Sequence, residues 1–390
     1  MKIIFLEAVQ DLGGARKSTI ELAKRCKEQG HDVLIVDFWG NCKPFVELAK
    51  KNGLNIEFLD RRDSPIIVAS KNKIKYFINC FLYLFYMLKL KKHLKKNIVK
   101  FKPDIISLNN IKCLSIVPKN GNFKIQFIAR GWYNSNSISL FTKFIFKRYK
   151  KLMFYTVSQA TRQAIYSGGL AKLENIHILT NVIDFDVVNK VQEQRHFLSW
   201  DKSIENRHFV IHHCGGFLKT KGQHVSVEVA KKLKKNNVSF KMYMTGIIYK
   251  GQNSEEYYDT LIKEIKEYEL TEEVKVILNP PNILEYFDKS DVLLFPSYTE
   301  GLPRVVLESM AFGKPVIANP VGGVIDLVIN NHTGYVTDFN DVDDYYDKLM
   351  KLIKDKNEYY RLSQNAVSLI KNTYSPAIQI DNFNKFLKSI

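Results

Sequence analysis

The sequence lacks paired cysteines and any apolar run long enough to cross a bilayer. Its five cysteines (26, 42, 80, 113 and 214) are scattered, and none belongs to a C-x-x-C pair. That pattern argues against a disulfide framework or a zinc site and fits a reducing cytoplasm. The apolar stretch Tyr76–Leu88 has 13 residues, fewer than the roughly 20 that a spanning helix needs. The first six residues are too short for a signal peptide and are typical of a first strand.

Acidic residues are also scarce in one region, because none occurs between Asp63 and Asp104. The formal net charge is +18, and residues 1–190 carry 33 basic and 14 acidic side chains. The excess therefore belongs to the N-terminal half of the chain. We expect that half to meet an anionic surface or ligand.

Lysines flank the apolar stretch Tyr76–Leu88 on both sides. They are Lys71, Lys73 and Lys75 before it, and Lys89, Lys91, Lys92, Lys95 and Lys96 after it. This pattern predicts a helix that lies in a membrane interface. Its aromatic side chains would lie in the headgroup region and its lysines on anionic lipid. The alternative is a buried core helix with a basic exposed end. A second basic, aromatic helix is predicted over residues 141–153. These segments predict a cytoplasmic protein held peripherally at the inner face of the membrane.

Two series of alternating strands and helices organise the chain. The first opens with a strand at Lys2–Leu6, a loop with Gly13 and Gly14, a helix and a strand at His31–Val36. This is a βαβ opening with a parallel sheet. A polar, irregular linker is predicted over residues 186–207, and His208–His213 starts the second series. The other predicted strands are 105–108, 124–129, 154–158, 176–181, 240–244, 274–278, 292–295 and 316–318. We infer an α/β protein with two Rossmann-like domains facing across a cleft.

The most informative stretch runs from Phe295 to Gly323. A buried strand ends at Phe295, and a polar loop leads to Pro303, which suits the first turn of a helix. Glu300 lies in the loop and Glu308 in the helix. Between them, backbone N–H groups at the positive end of the helix dipole are free to meet a ligand. Such a turn can hold a polyol on the carboxylates and a phosphate on the amides. The alternative is a solvated helix start with two ordinary surface glutamates.

The run Glu300-Gly-Leu-Pro-Arg-Val-Val-Leu-Glu308, followed by Gly322 and Gly323, resembles the E-x7-E signature of glycosyltransferase family 4. The resemblance implies the GT-B fold and a retaining hexosyl- or N-acetylhexosaminyltransferase (class EC 2.4) of bacterial polysaccharide biosynthesis. It implies an N-terminal acceptor and membrane-facing domain over residues 1–190 and a donor-binding domain over residues 191–372. A final helix over residues 373–390 would pack back on the N-terminal domain.

The resemblance also implies roles for single residues in donor binding. Glu308 would accept hydrogen bonds from ribose hydroxyls, and Glu300 would bind the donor sugar. The amides of Gly301 and Leu302 would hold the sugar or diphosphate. Lys221, in a phosphate loop with Gly215 and Gly216, would offset charge on the donor β-phosphate. The base would meet backbone around Asn282 and Ile283.

This sequence departs from the family pattern at two positions. Gly216 stands where an arginine is usual, and Lys219 is a candidate to compensate for it. Arg130 stands where the family has an active-site histidine. Arginine is not a base near neutral pH, but it can bind the sugar, a phosphate or the acceptor. Gly13 and Gly14 match the N-terminal glycine loop that faces the donor diphosphate and acceptor.

The implied substrates are a nucleotide-diphosphate sugar, with UDP favoured and GDP possible, and a polyprenyl-diphosphate-linked saccharide. The setting would be capsule, exopolysaccharide or O-antigen assembly. No cofactor, no metal and no nucleic-acid partner are expected. The D-x-D pairs at Asp184–Asp186 and Asp341–Asp343 are better explained as turns and helix caps than as metal ligands.

Two alternatives come from other classes of function. Gly13-Gly-Ala-Arg-Lys-Ser-Thr19 resembles a variant P-loop of a nucleotide triphosphatase, although Arg16 stands where that loop needs glycine. The basic N-terminal half also allows a non-catalytic binder of nucleic acid or an anionic surface.

Overall fold

The computed structural model describes residues 1–61, 73–133, 138–149, 152–194, 208–249 and 253–389. The chain forms two compact units. The first unit comprises Met1–Leu179 together with Asn382–Ile390, and the second comprises Thr180–Asp381. The division therefore lies 11 residues before the one predicted at residue 190.

The first unit is a seven-stranded parallel sheet with helices between its strands. The sheet order is β3-β2-β1-β4-β5-β6-β7. The strands are β1 (Lys2–Glu7), β2 (Asp32–Asp37), β3 (Asn55–Phe58), β4 (Ile105–Leu108), β5 (Lys124–Ala129), β6 (Leu152–Thr156) and β7 (Ile176–Ile178). The helices are α1 (Gly14–Glu28), α2 (Lys43–Lys51), α3 (Lys73–Phe101), α4 (Ile111–Ile116), α5 (Leu140–Lys147) and α6 (Gln159–Ser167). Strand order reverses between β1 and β4, so a ligand crevice is expected at their carboxyl ends.

Helix α3 contains the predicted apolar stretch and has two unlike sides. Tyr86, Leu90 and Leu94 are buried and pack into the core of the first unit. Phe77 and Phe81, which lie in the N-terminal half of the same helix, are 71% and 62% exposed. Some residues of the stretch therefore belong to the core and others are apolar and exposed, and the membrane-interface interpretation stays a prediction. The flanking Lys71 lies outside the described residues.

The second unit is a six-stranded parallel sheet in the order β10-β9-β8-β11-β12-β13. Its strands are β8 (Phe209–Cys214), β9 (Phe240–Gly246), β10 (Val274–Leu278), β11 (Val292–Phe295), β12 (Val316–Ala318) and β13 (Gly334–Val336). Its helices are α7 (Phe185–Gln194), α8 (Gln223–Lys235), α9 (Ser254–Glu267), α10 (Ile283–Lys289), α11 (Arg304–Ala311), α12 (Val342–Lys354) and α13 (Lys356–Thr373). Here the switch point lies between β8 and β11.

The last helix, α14 (Pro376–Ser389), begins in the second unit, and its residues from Asn382 onward belong to the first. The start of the predicted linker was wrong, because residues 185–194 form α7. The prediction failed there because α7 is mostly polar, and the helical spacing of Phe185, Val188 and Val191 was overlooked. Residues 195–207, the rest of that linker, lie outside the described residues.

The two D-x-D pairs act as predicted, as turn and cap residues. The Asp186 amide donates to Asp184 Oδ1 at 3.0 Å, at the start of α7. Asp341 is the N-cap of α12, and its side chain accepts from the amides of Asp343 and Asp344. Such bonds satisfy helix N–H groups that have no partner within the helix.

Within the described residues, no helix is both long and apolar enough to cross a membrane. The same part of the chain contains no cluster of three histidine, cysteine or acidic side chains that could hold a metal ion.

Buried polar side chains hydrogen-bond β8 to its neighbours in the second unit. His212 bonds Thr245 Oγ1 on β9 at 2.8 Å, and His213 bonds Ser226 Oγ on α8 at 2.8 Å. Burial lowers the pKa of each histidine to about 3. Both rings are therefore neutral near pH 7, and their bonds fix the strand that leads into the candidate site.

Candidate active site

Two turns at the switch point of the second unit form the candidate site. The phosphate turn, Gly215–Gly222, follows β8, and the carboxylate turn, Pro296–Leu302, follows β11. Since β8 and β11 are neighbouring parallel strands, both turns leave the same edge of the sheet. This brings together residues that are about 80 positions apart in the sequence.

The two turns are in direct contact. The Tyr298 amide donates to Thr220 O at 2.9 Å, and Ser297 Oγ lies 3.3 Å from the same carbonyl. Gly222 has φ +74°, and a Cβ there would lie 2.1 Å from Pro296 O. Only glycine combines this backbone conformation with so close an approach. The contact fixes the two turns relative to each other.

An ion pair joins the two residues that the resemblance assigns to the reacting end of the donor. Lys221 Nζ lies 2.7 Å from Glu300 Oε1, and both side chains are largely buried. Ser297 Oγ donates to that same oxygen at 2.7 Å. The sequence predicted Lys221 and Glu300 as site residues, and the structure brings them together. Ser297 was missed as a functional residue, although it lies within the motif that drew attention to Glu300.

Helix α11 begins directly after the carboxylate turn, with Pro303 as its N-cap. Glu308 is the fifth residue of the helix, and its Oε1 lies 3.6 Å from Arg304 Nε. This i,i+4 pair lies near the helix start, where the dipole favours negative charge. The Arg304 contact therefore holds the Glu308 side chain just beyond the first turn of the helix. Arg304 was missed by the sequence reasoning, although its spacing from Glu308 was a usable signal.

Backbone bonds hold the end of the carboxylate turn. The Gly323 amide donates to Gly301 O at 2.9 Å, and Asn181 Nδ2 donates to Leu302 O at 2.8 Å. Gly301 and Leu302 are buried. Hydrogen bonds from residues that are distant in the sequence thus hold the carbonyls of Gly301 and Leu302 in place.

Gly216, the departure from the family pattern, lies against an aromatic ring. A Cβ at Gly216 would lie 2.2 Å from Tyr249 Cε2 and 3.0 Å from the Tyr249 hydroxyl. Tyr249 thus takes up the space into which a larger residue at position 216 would project. At Gly215, the nearest atoms to an added Cβ would be in the aliphatic part of Lys221, at 3.6 Å.

Lys219 lines a separate cavity of about 510 Å³ beside α9, with His224, Glu256, Tyr257 and Glu264 among its other lining residues. The ring of His224 bonds the Tyr257 hydroxyl at 3.0 Å and the Tyr298 hydroxyl at 2.9 Å. Burial is the main cause that lowers the pKa of His224. A neutral ring thus connects α9 to the carboxylate turn, a link that sequence reasoning missed.

The predicted base-binding residues follow β10, two strands away from β8 in the sheet. Asn282 is the N-cap of α10, and its Nδ2 donates to Glu285 Oε1 at 2.8 Å. Ile283 is the first residue of that helix. Both therefore lie at the carboxyl edge of the same sheet as the two turns.

The remaining predicted residues belong to the first unit. Gly13 is the N-cap of α1 and Gly14 its first residue. Arg130 directly follows β5. Thr19, whose hydroxyl a P-loop would offer to a metal ion, is instead buried and donates to Glu7 Oε1 at 2.7 Å.

Comparisons with known proteins agree with this geometry. Residues 194–368 match the family described as glycosyl transferases group 1. The crystal structure of HepE from Anabaena in complex with UDP superimposes with a TM-score of 0.80 over the full length of both chains, at 19% identity. The fold is GT-B. The family match covers somewhat less than half of the chain and indicates a glycosyltransferase.

Curated relatives of this glycosyltransferase include the capsular polysaccharide biosynthesis glycosyltransferase CapM of Staphylococcus aureus. It is 27% identical over 246 residues, which are 60% of this chain and 61% of CapM. An uncharacterized glycosyltransferase of Haemophilus influenzae is 23% identical over 93% of each chain. An Escherichia coli UDP-Gal:α-D-GlcNAc-diphosphoundecaprenol α-1,3-galactosyltransferase is 33% identical over 101 residues, 26% of this chain and 25% of the relative.

The Lys221–Glu300 pair generates the first testable prediction. We expect Lys221→Gln to lower kcat on the order of a hundredfold, because a single preorganised donor at developing charge contributes about that much. The matched control is Lys231→Gln, since Lys231 pairs with Glu228 on the outer surface of α8. Steady-state kinetics of both variants check the prediction. Equal rates for the two variants would show that Lys221 does not act on the reacting groups.

Proposed function

We propose that this glycosyltransferase moves a hexose or N-acetylhexosamine from a UDP-sugar to a polyprenyl-diphosphate-linked saccharide, with retention at the anomeric carbon. The setting is the assembly of a surface polysaccharide. The observation that carries the proposal is the Lys221–Glu300 pair at the switch point, with Glu308 one turn into the adjoining helix.

The donor part of the proposal follows from the chemistry of the two turns. Lys221 supplies the cation that a leaving diphosphate requires, and Glu300 supplies a carboxylate for sugar hydroxyls. Glu308 supplies a second carboxylate suited to the two hydroxyls of a ribose. Anabaena HepE, which shares the fold, has been solved with UDP and with UDP-glucose, so UDP is favoured over GDP as the donor nucleotide.

The acceptor part rests on charge and on the relatives. The first unit contains most of the basic excess of the sequence, which suits an anionic, lipid-linked acceptor. The E. coli relative is named for a diphosphoundecaprenol acceptor, and CapM for capsular polysaccharide biosynthesis.

Retention requires the new bond to form on the face from which the nucleotide leaves. In a front-face mechanism, the acceptor oxygen bonds to the anomeric carbon as the bond from that carbon to the β-phosphate oxygen breaks. The bonding electrons pass to the phosphate, and the acceptor proton moves to the leaving oxygen. No protein nucleophile is needed, and Lys221 offsets the charge that develops on the leaving group. We expect no divalent metal requirement, because this side chain supplies the cation.

The function is tested with a donor panel followed by product analysis. UDP-, GDP- and ADP-sugars are compared by thermal shift, and we expect a UDP-sugar to stabilise the protein most. The transfer product is then examined by NMR, and its anomeric coupling should match that of the donor sugar. An inverted product would contradict the retaining mechanism. Stabilisation by a GDP- or ADP-sugar alone would contradict the proposed donor.

Peripheral membrane binding is the second part of the proposal, and the exposed side of α3 supports it. Phe77, Phe81, Phe85 and Leu88 recur at helical spacing, and each is more than half exposed. The Phe81 and Phe85 rings contact each other, with centroids 4.7 Å apart. The lysines that follow on this helix include the exposed Lys89, Lys92, Lys95 and Lys96.

We therefore propose that this patch of aromatic side chains and lysines binds an anionic lipid surface. A patch of exposed aromatic side chains on one helix is large for a monomer surface and marks an interaction site. The neighbouring lysines favour an anionic partner. Helix α5 repeats the pattern on a smaller scale, since Leu140 and Phe144 are 85% and 64% exposed and Lys147 is exposed.

We expect the double variant Phe81→Ser, Phe85→Ser to lose most binding to vesicles of phosphatidylcholine with a quarter phosphatidylglycerol. Each exposed ring contributes through its buried apolar area. Tyr360→Ser, which removes a similarly exposed ring on α13 of the second unit, is the control. Flotation of the vesicles measures the bound fraction. Undiminished flotation of the double variant would contradict the membrane role, and a change only in oligomeric state would identify the surface as a contact between copies.

A further inference from the structure

The cavity beside α9 is connected to the candidate site by the side chain of His224. This residue is the second of α8, which begins directly after Lys221 and Gly222. Its ring Nδ1 lies 3.0 Å from the hydroxyl of Tyr257 on α9, and its Nε2 lies 2.9 Å from the hydroxyl of Tyr298 in the carboxylate turn. The half-buried ring therefore joins three elements, and the mechanism proposed above gives it no role.

The direction of these hydrogen bonds follows from the Tyr257 hydroxyl. It accepts from the backbone amide of His224 at 3.1 Å. That amide is one of the N–H groups that the first turn of α8 leaves without a partner inside the helix. A hydroxyl has a single proton to donate. Among the described residues, Nδ1 of His224 is the acceptor that lies within hydrogen-bond distance of it. Nδ1 is therefore the nitrogen that accepts.

The other nitrogen of the ring donates. Burial lowers the pKa of His224, and the charge of Lys219 lowers it further, so the ring is neutral near pH 7. A neutral imidazole carries one proton, and the bond at one nitrogen determines that the other bears it. Nε2–H therefore donates to the Tyr298 hydroxyl. The chain of hydrogen bonds thus runs from α9 through the ring to the carboxylate turn.

Tyr298 is the residue of the carboxylate turn that this chain holds. Its amide donates to Thr220 O at 2.9 Å, and its ring packs against Phe339 with centroids 5.3 Å apart. Glu300 follows two residues later, and its Oε1 lies 2.7 Å from Lys221 Nζ. A hydrogen bond at the Tyr298 hydroxyl therefore restrains the short segment that carries Glu300.

We propose that His224 is a positioning residue whose Nε2–H bond to Tyr298 holds the carboxylate turn, so that Glu300 meets the donor sugar in the orientation for transfer. The role of His224 rests on the proposed function in one respect, since that function makes the sugar the ligand of Glu300. His224 acts only through Tyr298. A small misplacement of a group that orients a reacting substrate lowers kcat more than it weakens binding.

Two variants of His224 separate the two bonds of the ring. In His224→Gln, the side-chain amide nitrogen takes the place of Nε2 and still donates to Tyr298. In His224→Asn, the shorter amide takes the place of Nδ1 and keeps only the bond to Tyr257. We expect His224→Asn to lower kcat about tenfold, the effect of one lost hydrogen bond, and His224→Gln to stay within about threefold of the wild type. A role in packing alone predicts equal losses, because both variants remove the ring.

The release of UDP measures turnover in these variants. The donor is the UDP-sugar that stabilises the protein most in the donor panel, and rates are taken with N-acetylglucosamine linked to citronellyl diphosphate as acceptor and with water alone. Titration calorimetry measures the Kd of UDP, which should not change, because UDP has no sugar for Glu300 to orient. The matched control is His208→Asn, since the exposed His208 ring also bonds a hydroxyl, Ser239 Oγ, at 2.7 Å. This control should keep the kcat of the wild type.

Tyr298→Phe removes the other partner of the same bond and keeps a ring against Phe339. It should lower kcat as much as His224→Asn does. The double variant should lose little more than either single variant, since each change removes one shared bond. NMR of protein labelled with 15N-histidine reports the tautomer directly, and the Nε2–H form is expected for His224 at pH 7.5.

Four results would overturn the role of His224. They are wild-type kcat in His224→Asn, equal losses in His224→Asn and His224→Gln, multiplied losses in the double variant, and an Nδ1–H ring. A fall in UDP affinity as large as the fall in kcat would also overturn it, because the whole site would then be distorted. Failure of the proposed function looks different. The wild-type protein would then release no UDP from any UDP-sugar, with or without the acceptor, and the role of His224 would fail with it.

Discussion

The close approach of Gly222 to the Pro296 carbonyl is the constraint on which the donor site depends. It allows the turn after β8 to lie directly on the turn after β11, where backbone and serine bonds hold them together. Lys221 and Glu300 are then adjacent without either turn being strained to reach the other. The buried histidines of β8 also stabilise this arrangement. Their neutral rings hydrogen-bond Thr245 and Ser226 and so hold the strand that leads into the phosphate turn. The groups that we propose for catalysis are thus placed by strand ends, as preorganised electrostatic catalysis requires.

The two units use the same edge of a parallel sheet for different chemistry. In the second unit, a cation lies beside two carboxylates, and we propose that they bind a ligand that carries both hydroxyls and phosphates. In the first unit, the buried carboxylates of Glu7 and Asp37 end β1 and β2. The basic excess of the N-terminal half is not confined to this edge. Much of it lies on helices such as α3, whose exposed aromatic side suits a lipid surface.

The sequence predicts the sheet strands well where they are continuous apolar runs. β4, β5 and β11 occupy the residues expected, because strands buried on both faces leave a plain apolar signal, and β10 at the sheet edge was also found at the residues expected. β3 was missed, since Asn-Ile-Glu-Phe at the sheet edge has only two apolar residues. The two sides of α3 could not be separated either. Its apolar residues cover the whole circumference, so only tertiary packing shows that Leu90 is core and Phe81 is surface.

The site could be predicted where its residues lie within one sequence motif. Glu300 and Glu308 are eight residues apart and were found together. The pairing of Glu300 with Lys221 could be inferred only through the family resemblance, because 79 residues separate them. Tyr249 and Glu7 carry no local signal at all. The contact between Tyr249 and Gly216 and the burial of Glu7 at the end of β1 are apparent only in the folded structure.

The measurement that tests the account most directly is the discrimination between UDP and 2′-deoxy-UDP by titration calorimetry. If Glu308 accepts hydrogen bonds from the ribose, the wild-type protein should bind UDP about ten times more tightly, since a hydrogen bond to a charged group contributes roughly 1.5–3 kcal/mol. Glu308→Gln should lose most of that preference while binding 2′-deoxy-UDP nearly as well as the wild type. Equal preference for UDP in the two proteins would contradict the placement of the nucleotide on the carboxylate turn and α11.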